Sequence, residues 1–336
     1  MDKIGKSTYK FNNVYLVNGT SICGLKEFSG PLGQYFDYHI NDFIDNEKSF
    51  EKCEIKMLKK VIKKSLEKEN INKDNIDFIV SGDLNNQITA SSYTLRDIGI
   101  PYLGIFGACT NIVLGIIISA IYLDNIKLKD SYTIASTCSH NLTAERTFRY
   151  PNEYGGQRAN TYTSTVTGAA SILLTNQNTN IKVSYATIGK VVDGDLKDPQ
   201  DMGRAMAPAC YHTIKTHIND LNIDIYSYDK IITGDLSKYG SKMLIDLFKE
   251  DNIDIDDIHQ DTGLLIYDIE NQDIQAGGSG CGCIGIVLSS YILDKLYKKE
   301  YKKILVCGTG ALMNPTMLAQ KESIPGICHA ITLEVE

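Results

Sequence analysis

The chain has 336 residues, 43% of them hydrophobic and 22% charged, and these fractions exclude disordered and collagen-like proteins. A chain of this length can bury enough surface to form a core without disulfides or a structural metal ion. Its 34 basic and 41 acidic residues give a net charge of −7, which argues against a general nucleic-acid-binding protein. The nine cysteines include no CxxC pair, so we expect reduced thiols, and the N-terminus lacks the apolar segment of a signal peptide.

The first half of the chain predicts strands that alternate with helices. An amphipathic helix, with apolar residues three and four apart, begins near Phe50 and precedes an apolar strand at 77–84. The stretch 98–123 contains no acidic or basic residue and is long enough to imitate a membrane span. Its proline, glycines and polar turn instead divide it into a buried strand, a Gly-rich turn around Cys109 and a buried helix. Another apolar strand follows at 131–137.

The second half of the chain repeats this order of elements. DFIVSGDL at 77–84 matches DKIITGDL at 229–236, and the turn at Cys109 matches the turn at Cys281, each before an apolar helix. The strands are apolar throughout rather than alternating, which is typical of a sheet covered by helices on both faces. We therefore predict an α/β fold with two related halves. In such sheets, ligands bind beyond the carboxyl ends of the strands.

Cys109 is the residue whose predicted position best suits chemistry. At a strand-to-helix turn its thiol would lie at a helix N-terminus, where the dipole favours a thiolate and lowers the pKa. A small buried apolar cysteine is an equally good interpretation of the same position. His140 follows a strand and is a candidate to face the pocket, although none of the six histidines is singled out as a base. Cys281 and Cys283 lack further ligands at zinc spacing, so we expect no metal ion and no cofactor.

A long irregular stretch at 139–160 separates the strand at 131–137 from the rest of the chain. It contains Arg146, Arg149, two tyrosines and a pair of glycines. Loops of this length are usually functional or disordered, and the aromatic residues and proline favour an ordered loop. We expect it to cover a pocket or to contribute to a subunit interface.

Long stretches of the chain resemble the stage V sporulation protein AD family of spore-forming bacteria, within the thiolase-like superfamily. The similar stretches are PLGQYFD, GDLNNQITA, FGACTN, TCSHNLTAERTFRYPNEYGGQ, TSTVTGAA, QDMGRAMAPA, GDLSKYGS, AGGSGCGC, GTGALMNPT and QKESIPGI. The resemblance implies a thiolase-like α/β fold, in which two pseudo-symmetric βαβαβ halves form a layered αβαβα arrangement. We expect the halves to span 1–179 and 180–336 and to form one compact unit.

The resemblance also implies a function. It predicts a non-enzymatic sporulation protein that binds dipicolinic acid (pyridine-2,6-dicarboxylic acid), with or without calcium, for uptake into the developing spore and release at germination. The protein would be soluble by sequence and peripheral at the inner membrane of the spore or forespore. Its partners would be membrane proteins of the same sporulation system.

The resemblance further implies why catalysis is lost. Condensing enzymes of this superfamily carry a histidine after one strand and an asparagine or second histidine before the last buried helix. Aligned by eye, these positions are Gly234 and Gly278 here, while Cys109 keeps the position of the nucleophile. Without a base for the thiol or donors for an enolate, condensation should fail. The two glycines should also leave room for a flat aromatic ligand.

The ligand is a planar dianion, which calls for N–H donors and cations. Helix N-termini near Cys109 and Gly280, the glycines of GTG, and a bidentate contact from Arg146 or Arg149 are the expected sources. The predicted ligand-binding residues are Cys109, Ser139, His140, Arg146, Arg149, Gly234, Asp235, Gly278, Ser279, Gly308 and Gly310.

Two alternative functions and a homodimeric state are also predicted. An active acyltransferase would use Cys109 with His140 or Asp235 as an unusual base, and a structural adaptor would dock a membrane partner beside a vestigial pocket. The resemblance also implies a homodimer in which the strand at 131–137, which follows the helix after Cys109, pairs with its twofold mate. This strand is uncharged, and an exposed apolar edge promotes aggregation unless it is paired.

Overall fold

A computed structural model describes residues 1–148 and 158–336 of the chain. The strands are β1 (Asp2–Ile4), β2 (Thr8–Lys10), β3 (Tyr15–Cys23), β4 (Tyr38–His39), β5 (Ile76–Asp83), β6 (Tyr102–Gly104), β7 (Tyr132–Ser139), β8 (Ser164–Thr165), β9 (Gly168–Thr175), β10 (Ile181–Thr187), β11 (Val192–Asp193), β12 (Lys230–Thr233), β13 (His259–Asp261), β14 (Gly278–Ser279), β15 (Lys303–Ala311) and β16 (Pro325–Val335). The helices are α1 (Leu25–Phe28), α2 (Phe50–Lys68), α3 (Thr89–Ile98), α4 (Asn111–Asn125), α5 (Asn141–Phe148), α6 (Met202–Leu221), α7 (Ser237–Glu250), α8 (Thr262–Leu265), α9 (Cys281–Val287), α10 (Leu293–Tyr297) and α11 (Pro315–Ala319).

Ten strands form one continuous path in the order β13-β12-β15-β16-β10-β3-β9-β7-β5-β6. Each end of this path has the same construction. β5 lies between β6 and β7, and β12 lies between β13 and β15, with parallel pairing in every case. The two five-strand halves meet where β3 pairs with β10. The repeated strands at 77–84 and 229–236 therefore hold equivalent positions, which confirms the predicted pseudo-symmetric halves.

Helices cover the sheet in layers, as the apolar strands predict. α2 and α3 pack on the outer face of the first half, and α6 packs with α7 on the outer face of the second half. α4 and α9 lie between the halves, where α4 contacts β5 and β7 on one side and β15 and β16 on the other. A helix that is apolar on nearly every face is stable in such a position because it contacts protein on all sides.

The apolar stretch around α4 belongs to this middle layer. Among the described residues, one helical stretch, Ala108–Asn125, is long and apolar enough to cross a membrane by length and composition. The core helix of an α/β protein passes the same test, and 67% of this stretch is buried inside the fold. The predicted division of 98–123 into a strand, a turn and a buried helix is confirmed by β6 and α4, but the prediction that the strand is buried was wrong, because β6 is the last strand of the sheet and is half exposed.

The dimerisation strand was assigned wrongly. β7, which contains the strand predicted at 131–137, is paired on both sides, with β5 and with β9, so it has no edge to offer a second copy. The strand at the end of the path is β6, and within the described residues its outer edge has no partner. Leu103 on β6 is 46% exposed, and the nearby Phe106 is 53% exposed. The charge-free composition of 131–137 reflects burial in the middle of a sheet rather than an interface.

We propose that a second copy of the chain pairs with β6. Replacing Leu103 by lysine should convert a dimer into a monomer, because a charged side chain on an edge strand opposes pairing. Sedimentation at micromolar concentration measures the change. Leu128→Lys, at an exposed leucine outside β6, is the matched control and should leave the dimer intact. A wild-type protein that sediments as a monomer would rule the dimer out.

Candidate functional site

The turn that presents Cys109 is held in an unusual backbone conformation. Ala108 has a φ of 52°, a value that residues with a Cβ rarely adopt. The turn is closed by the backbone N–H of Gly107, which donates to Oδ1 of Asn111 at 2.7 Å, and by the N–H of Thr110, which donates to the Gly107 carbonyl at 3.3 Å. This geometry reverses the chain between β6 and α4 and brings Cys109 to the base of a cleft.

The cleft at Cys109 is a shallow opening with little interior space. Its volume is about 370 Å³ when the open solvent at its mouth is counted, but the centre of a water molecule has only about 20 Å³ available inside it, far below the roughly 300–1,000 Å³ of typical ligand pockets. The lining residues are Leu84, Ala108, Cys109, Ala144, Glu145, Phe148, Thr165, Met202, Ser279, Gly280, Ala311 and Met313. Most of these side chains are apolar, and among the described residues none is a lysine, an arginine or a histidine.

A buried carboxyl group, that of Asp235, contacts the thiol of Cys109. Its Oδ1 accepts a hydrogen bond from the Thr309 hydroxyl at 2.7 Å. Its Oδ2 accepts from the Ser279 hydroxyl at 3.1 Å and from the Gly280 backbone N–H at 2.9 Å. Gly280 has a φ of 98°, so glycine is the residue suited to this position. The carboxyl ends of β12 and β15 and the turns before α4 and α9 thus converge on one group.

The electrostatics of this contact distinguish the two interpretations of Cys109. Burial raises the pKa of Cys109 well above its usual value, and the Asp235 carboxyl raises this pKa further. Burial also raises the pKa of Asp235 itself, although its hydrogen bonds oppose that change. The N–H of Gly280 lowers the pKa of Cys109, but this contribution is smaller than that of burial. The buried, protonated cysteine is therefore favoured over the thiolate, because desolvation outweighs the helix dipole.

Gly234 and Gly278 do not enlarge the cleft. A Cβ on Gly234 would lie 2.8 Å from the Thr309 hydroxyl, and a Cβ on Gly278 would lie 2.8 Å from a methyl group of Ile266. Neither glycine lines the cleft. The expectation that they leave room for an aromatic ligand was wrong, because neighbouring side chains fill the space.

Several of the backbone donors proposed for the ligand are already used. The N–H of Gly280 donates to Asp235, and the N–H of Gly282 donates to the Ser139 hydroxyl at 3.0 Å. Gly308 and Gly310 lie on β15, which pairs with β16, and both pack closely against the turn at Cys109. They support the turn but do not line the cleft. Ser139 connects α9 to the first half by donating to the Val166 carbonyl at 2.7 Å.

Three further predicted ligand-binding residues lie elsewhere or outside the description. His140 is buried, contacts the Phe43 carbonyl through Nε2 at 2.8 Å and does not line the cleft. Arg146 forms an ion pair with Glu51 on α2 and does not line the cleft. Arg149 lies outside the described residues. Of the eleven predicted residues, Cys109, Asp235 and Ser279 therefore come together at the cleft.

Two residues important to the site were missed by the sequence reasoning. Thr309 bonds to Asp235 from between the two glycines of GTG, whose threonine was not considered. Glu145 lines the cleft, and one of its carboxylate oxygens accepts a hydrogen bond from the Thr165 hydroxyl at 3.1 Å. The sequence analysis considered only Arg146, the next residue on α5. Adjacent helical residues point in different directions, so the interpretation of Arg146 gave no indication of where Glu145 points.

A second and larger cleft lies on the other side of α5. Its volume is about 1280 Å³ with the open mouth included, and its lining includes His140, Lys26 and Arg158. Both cations already have partners on Asp273, since Lys26 donates to its carbonyl at 2.9 Å and Arg158 lies 3.3 Å from its carboxylate. We place the candidate site at Cys109 despite its smaller volume, because strand ends converge there.

A buried pair of carboxyl groups supports the first half near the cleft. Oε2 of Glu54 accepts hydrogen bonds from the Asn85 amide at 3.0 Å and from the Thr143 hydroxyl at 2.8 Å. Oε1 of Glu54 is buried and has no hydrogen-bond partner among the described residues. Burial and the nearby Asp83 carboxyl raise the pKa of Glu54 from 4.5 to about 8. Glu54 is therefore mostly protonated at neutral pH.

This carboxyl predicts a loss of stability as the pH rises from about 4.5 to about 8. Because folding raises the pKa of Glu54, its contribution is fully present below pH 4.5 and is lost as the pH rises through about 8. We expect Glu54→Gln to remove a decrease on the order of 5 kcal/mol in the free energy of unfolding across that window. Urea unfolding at a series of pH values measures it. Glu67→Gln, at an exposed position on α2, should keep the wild-type profile, and an unchanged profile in Glu54→Gln would contradict the prediction.

Solved structures of other proteins share this fold. The structure is similar to 3-oxoacyl-[acyl-carrier-protein] synthase III from Aquifex aeolicus, with a TM-score of 0.60 and 10% identity over 96% of this chain and 99% of that chain. It is also similar to cerulenin-bound OleA from Xanthomonas campestris, with a TM-score of 0.61 and 14% identity over 97% of each chain. At these identities the similarity shows the fold alone, and it confirms the predicted thiolase-like α/β arrangement.

The family is shown by closer matches. The family model for stage V sporulation protein AD matches residues 5–334. The chain is also 42% identical to stage V sporulation protein AD of Bacillus subtilis over 335 residues, which cover 99% of this chain and 98% of that protein. The resemblance found in the sequence motifs is confirmed, and the chain belongs to the stage V sporulation protein AD family.

Proposed function

We propose that this protein binds dipicolinic acid in the Cys109 cleft without transforming it, for uptake into the developing spore and release at germination. Membership in the family assigns the chain to sporulation. The observation that carries the proposal is the state of the nucleophile position. Cys109 is retained at the base of an apolar cleft, but burial and the Asp235 carboxyl raise its pKa, and none of the six histidines lines the cleft.

The shape of the cleft supports a small flat ligand. Phe148, Met202 and Met313 supply apolar surface, and Cys109 and Ser279 lie at its base. A pyridine ring gains from such walls, while a few polar groups determine its orientation. Glu145 is the ionisable side chain on the wall of the cleft in the described part of the chain.

The charge of the cleft favours a neutralised form of the ligand. A bare dianion would meet Glu145 and the nearby Asp235, with no lysine or arginine among the described lining residues. The one-to-one calcium chelate carries no net charge, and calcium prefers carboxylate oxygens as ligands. We therefore expect the chelate to bind at least as tightly as the free acid.

Titration calorimetry tests the proposal directly. Dipicolinic acid, with and without calcium, is compared with pyridine-2-carboxylic acid and with benzene-1,3-dicarboxylic acid. The first comparator lacks one carboxylate and the second lacks the ring nitrogen. We expect saturable binding of dipicolinic acid and weaker binding of both comparators. Absence of binding, or equal affinity for all three compounds, would refute the proposal.

Variants in the larger cleft determine which cleft is used. Lys26→Ala and Arg158→Ala remove the two cations there and should leave binding unchanged if the ligand occupies the Cys109 cleft. A loss of affinity in both variants, with wild-type affinity in Cys109→Ala, would move the ligand to the larger cleft.

An acyltransferase is the second candidate, because Asp235 is placed to accept a proton from Cys109. A carboxyl next to the thiol is a possible base, and the fold relatives are enzymes. The raised pKa values of both groups oppose this function, since the thiol keeps its proton. Intact-mass analysis after incubation with acyl-coenzyme A distinguishes the two functions. An acyl adduct on Cys109 that is turned over would establish the enzyme.

We further propose that the protein acts as a peripheral component at the inner membrane of the spore or forespore. Its partners there would be the membrane proteins of the same sporulation system. A structural adaptor would retain partner binding in the absence of any ligand binding, so pull-down of these partners alongside the titration separates the two roles.

A further inference from the structure

Three cysteines that are far apart in the sequence meet behind the candidate site. Cys210 lies on α6, Cys307 on β15 and Cys328 on β16. Their Sγ atoms all lie within 4.8 Å of one another. Two sulfurs that bind one metal ion are at most about 4.6 Å apart, because metal–thiolate bonds are about 2.3 Å long. The spacing of these three sulfurs is close to that limit.

The surroundings of the three thiols restrict the kind of ion. All three side chains are fully buried within the apolar cluster between α6 and the β15–β16 pair. In the described part of the chain, no histidine nitrogen or carboxylate oxygen completes the group as a fourth ligand. Structural zinc sites are almost always four-coordinate, whereas soft thiolates also select monovalent copper. A three-sulfur set in a dry pocket suits monovalent copper better than zinc.

We propose that Cys210, Cys307 and Cys328 form a three-coordinate site for monovalent copper. The site is separate from the Cys109 cleft and uses none of the cleft's lining residues. A metal here would connect α6 to the two strands that it covers. β15 also carries Thr309, the partner of Asp235, so the metal would stabilise the strand that supports the cleft.

The test is an anaerobic titration of the full chain with monovalent copper in competition with a copper chelator. We expect one tightly bound equivalent per chain and an X-ray absorption spectrum with sulfur neighbours only. Cys210→Ser, Cys307→Ser and Cys328→Ser should each lower the affinity by about 100-fold. Cys23→Ser and Cys53→Ser, at equally buried cysteines of the first half, are the matched controls and should retain the equivalent.

The X-ray absorption spectrum of the copper-loaded wild-type protein tests the site without any variant, so the test does not depend on whether the variants fold. Nitrogen or oxygen neighbours in that spectrum, or no tightly bound copper, would overturn the site. Loss of the bound equivalent in Cys109→Ser, with retention in Cys328→Ser, would assign the copper to the cleft cysteine and overturn it as well.

Discussion

Filling the base of the cleft should abolish dipicolinate binding. We expect Cys109→Phe to lose binding altogether, because a phenyl ring occupies the space at the turn and the packed walls cannot relax around it. Ala311→Phe, which fills the same cleft from β15, should have the same effect. Titration calorimetry with dipicolinic acid measures both losses, and thermal unfolding shows whether each variant is folded.

Matched substitutions distinguish steric blocking of the cleft from loss of the Cys109 thiol. Cys109→Ala removes one sulfur and should weaken binding by about 1 kcal/mol, or about fivefold. Ala319→Phe places the same ring on an exposed position of α11 and should leave binding unchanged. Wild-type affinity in folded Cys109→Phe and Ala311→Phe would show that the ligand does not use this cleft.

Removing the negative charge beside Cys109 should make its thiol reactive. In Asp235→Asn, the amide keeps the shape of the side chain and can still bond to Thr309 and Gly280. The contribution of the carboxyl to the raised pKa of Cys109 is lost, so more thiolate is present. We expect alkylation of Cys109 by iodoacetamide near neutral pH to accelerate by about tenfold or more, because the rate follows the fraction of the thiol present as thiolate.

The other cysteines provide an internal control for this experiment. The remaining eight are fully buried, whereas Cys109 is 5% exposed, so mass spectrometry of the native protein should find the label on Cys109. Asp261→Asn replaces another buried carboxyl, one that hydrogen-bonds to Thr233, and should leave the alkylation rate of Cys109 near that of the wild type. An unchanged rate in Asp235→Asn would mean that burial alone sets the pKa of Cys109.

The layered fold was predictable because its signals are local. Continuous apolar strands, amphipathic helices and a repeated order of elements each occupy a short stretch of the chain. The match between 77–84 and 229–236 was enough to predict equivalent strands, and β5 and β12 bear this out. The order of strands in the sheet, and therefore its edges, was not predictable in this way. The dimerisation edge was assigned to 131–137 by family resemblance, and the charge-free composition of this strand agreed. Central strands and interface edges share that composition, and only the observed pairing of β7 on both sides distinguishes them.

The site was predictable in its location but not in its contacts. The turn at Cys109 follows from a strand, a Gly-rich segment and an apolar helix in order. Its partner Asp235 lies on the other half of the chain, and its position depends on how the halves pack. Arg146 appeared suited to a carboxylate ligand, but α5 directs it to Glu51 on α2. A side chain's direction from a helix depends on the placement of that helix, which no local pattern contains.

The sequence by itself determined the family, the pseudo-symmetric α/β fold and the position of the cleft. These depend on motifs and periodicities whose physical basis lies within a few residues. Tertiary structure alone decided the state of Cys109, since burial and Asp235 together outweigh the helix N-terminus and raise its pKa. It also decided that Gly234 and Gly278 pack against other side chains and that Cys210, Cys307 and Cys328 meet. Desolvation, close packing and contacts between distant segments exist only when the layers are assembled.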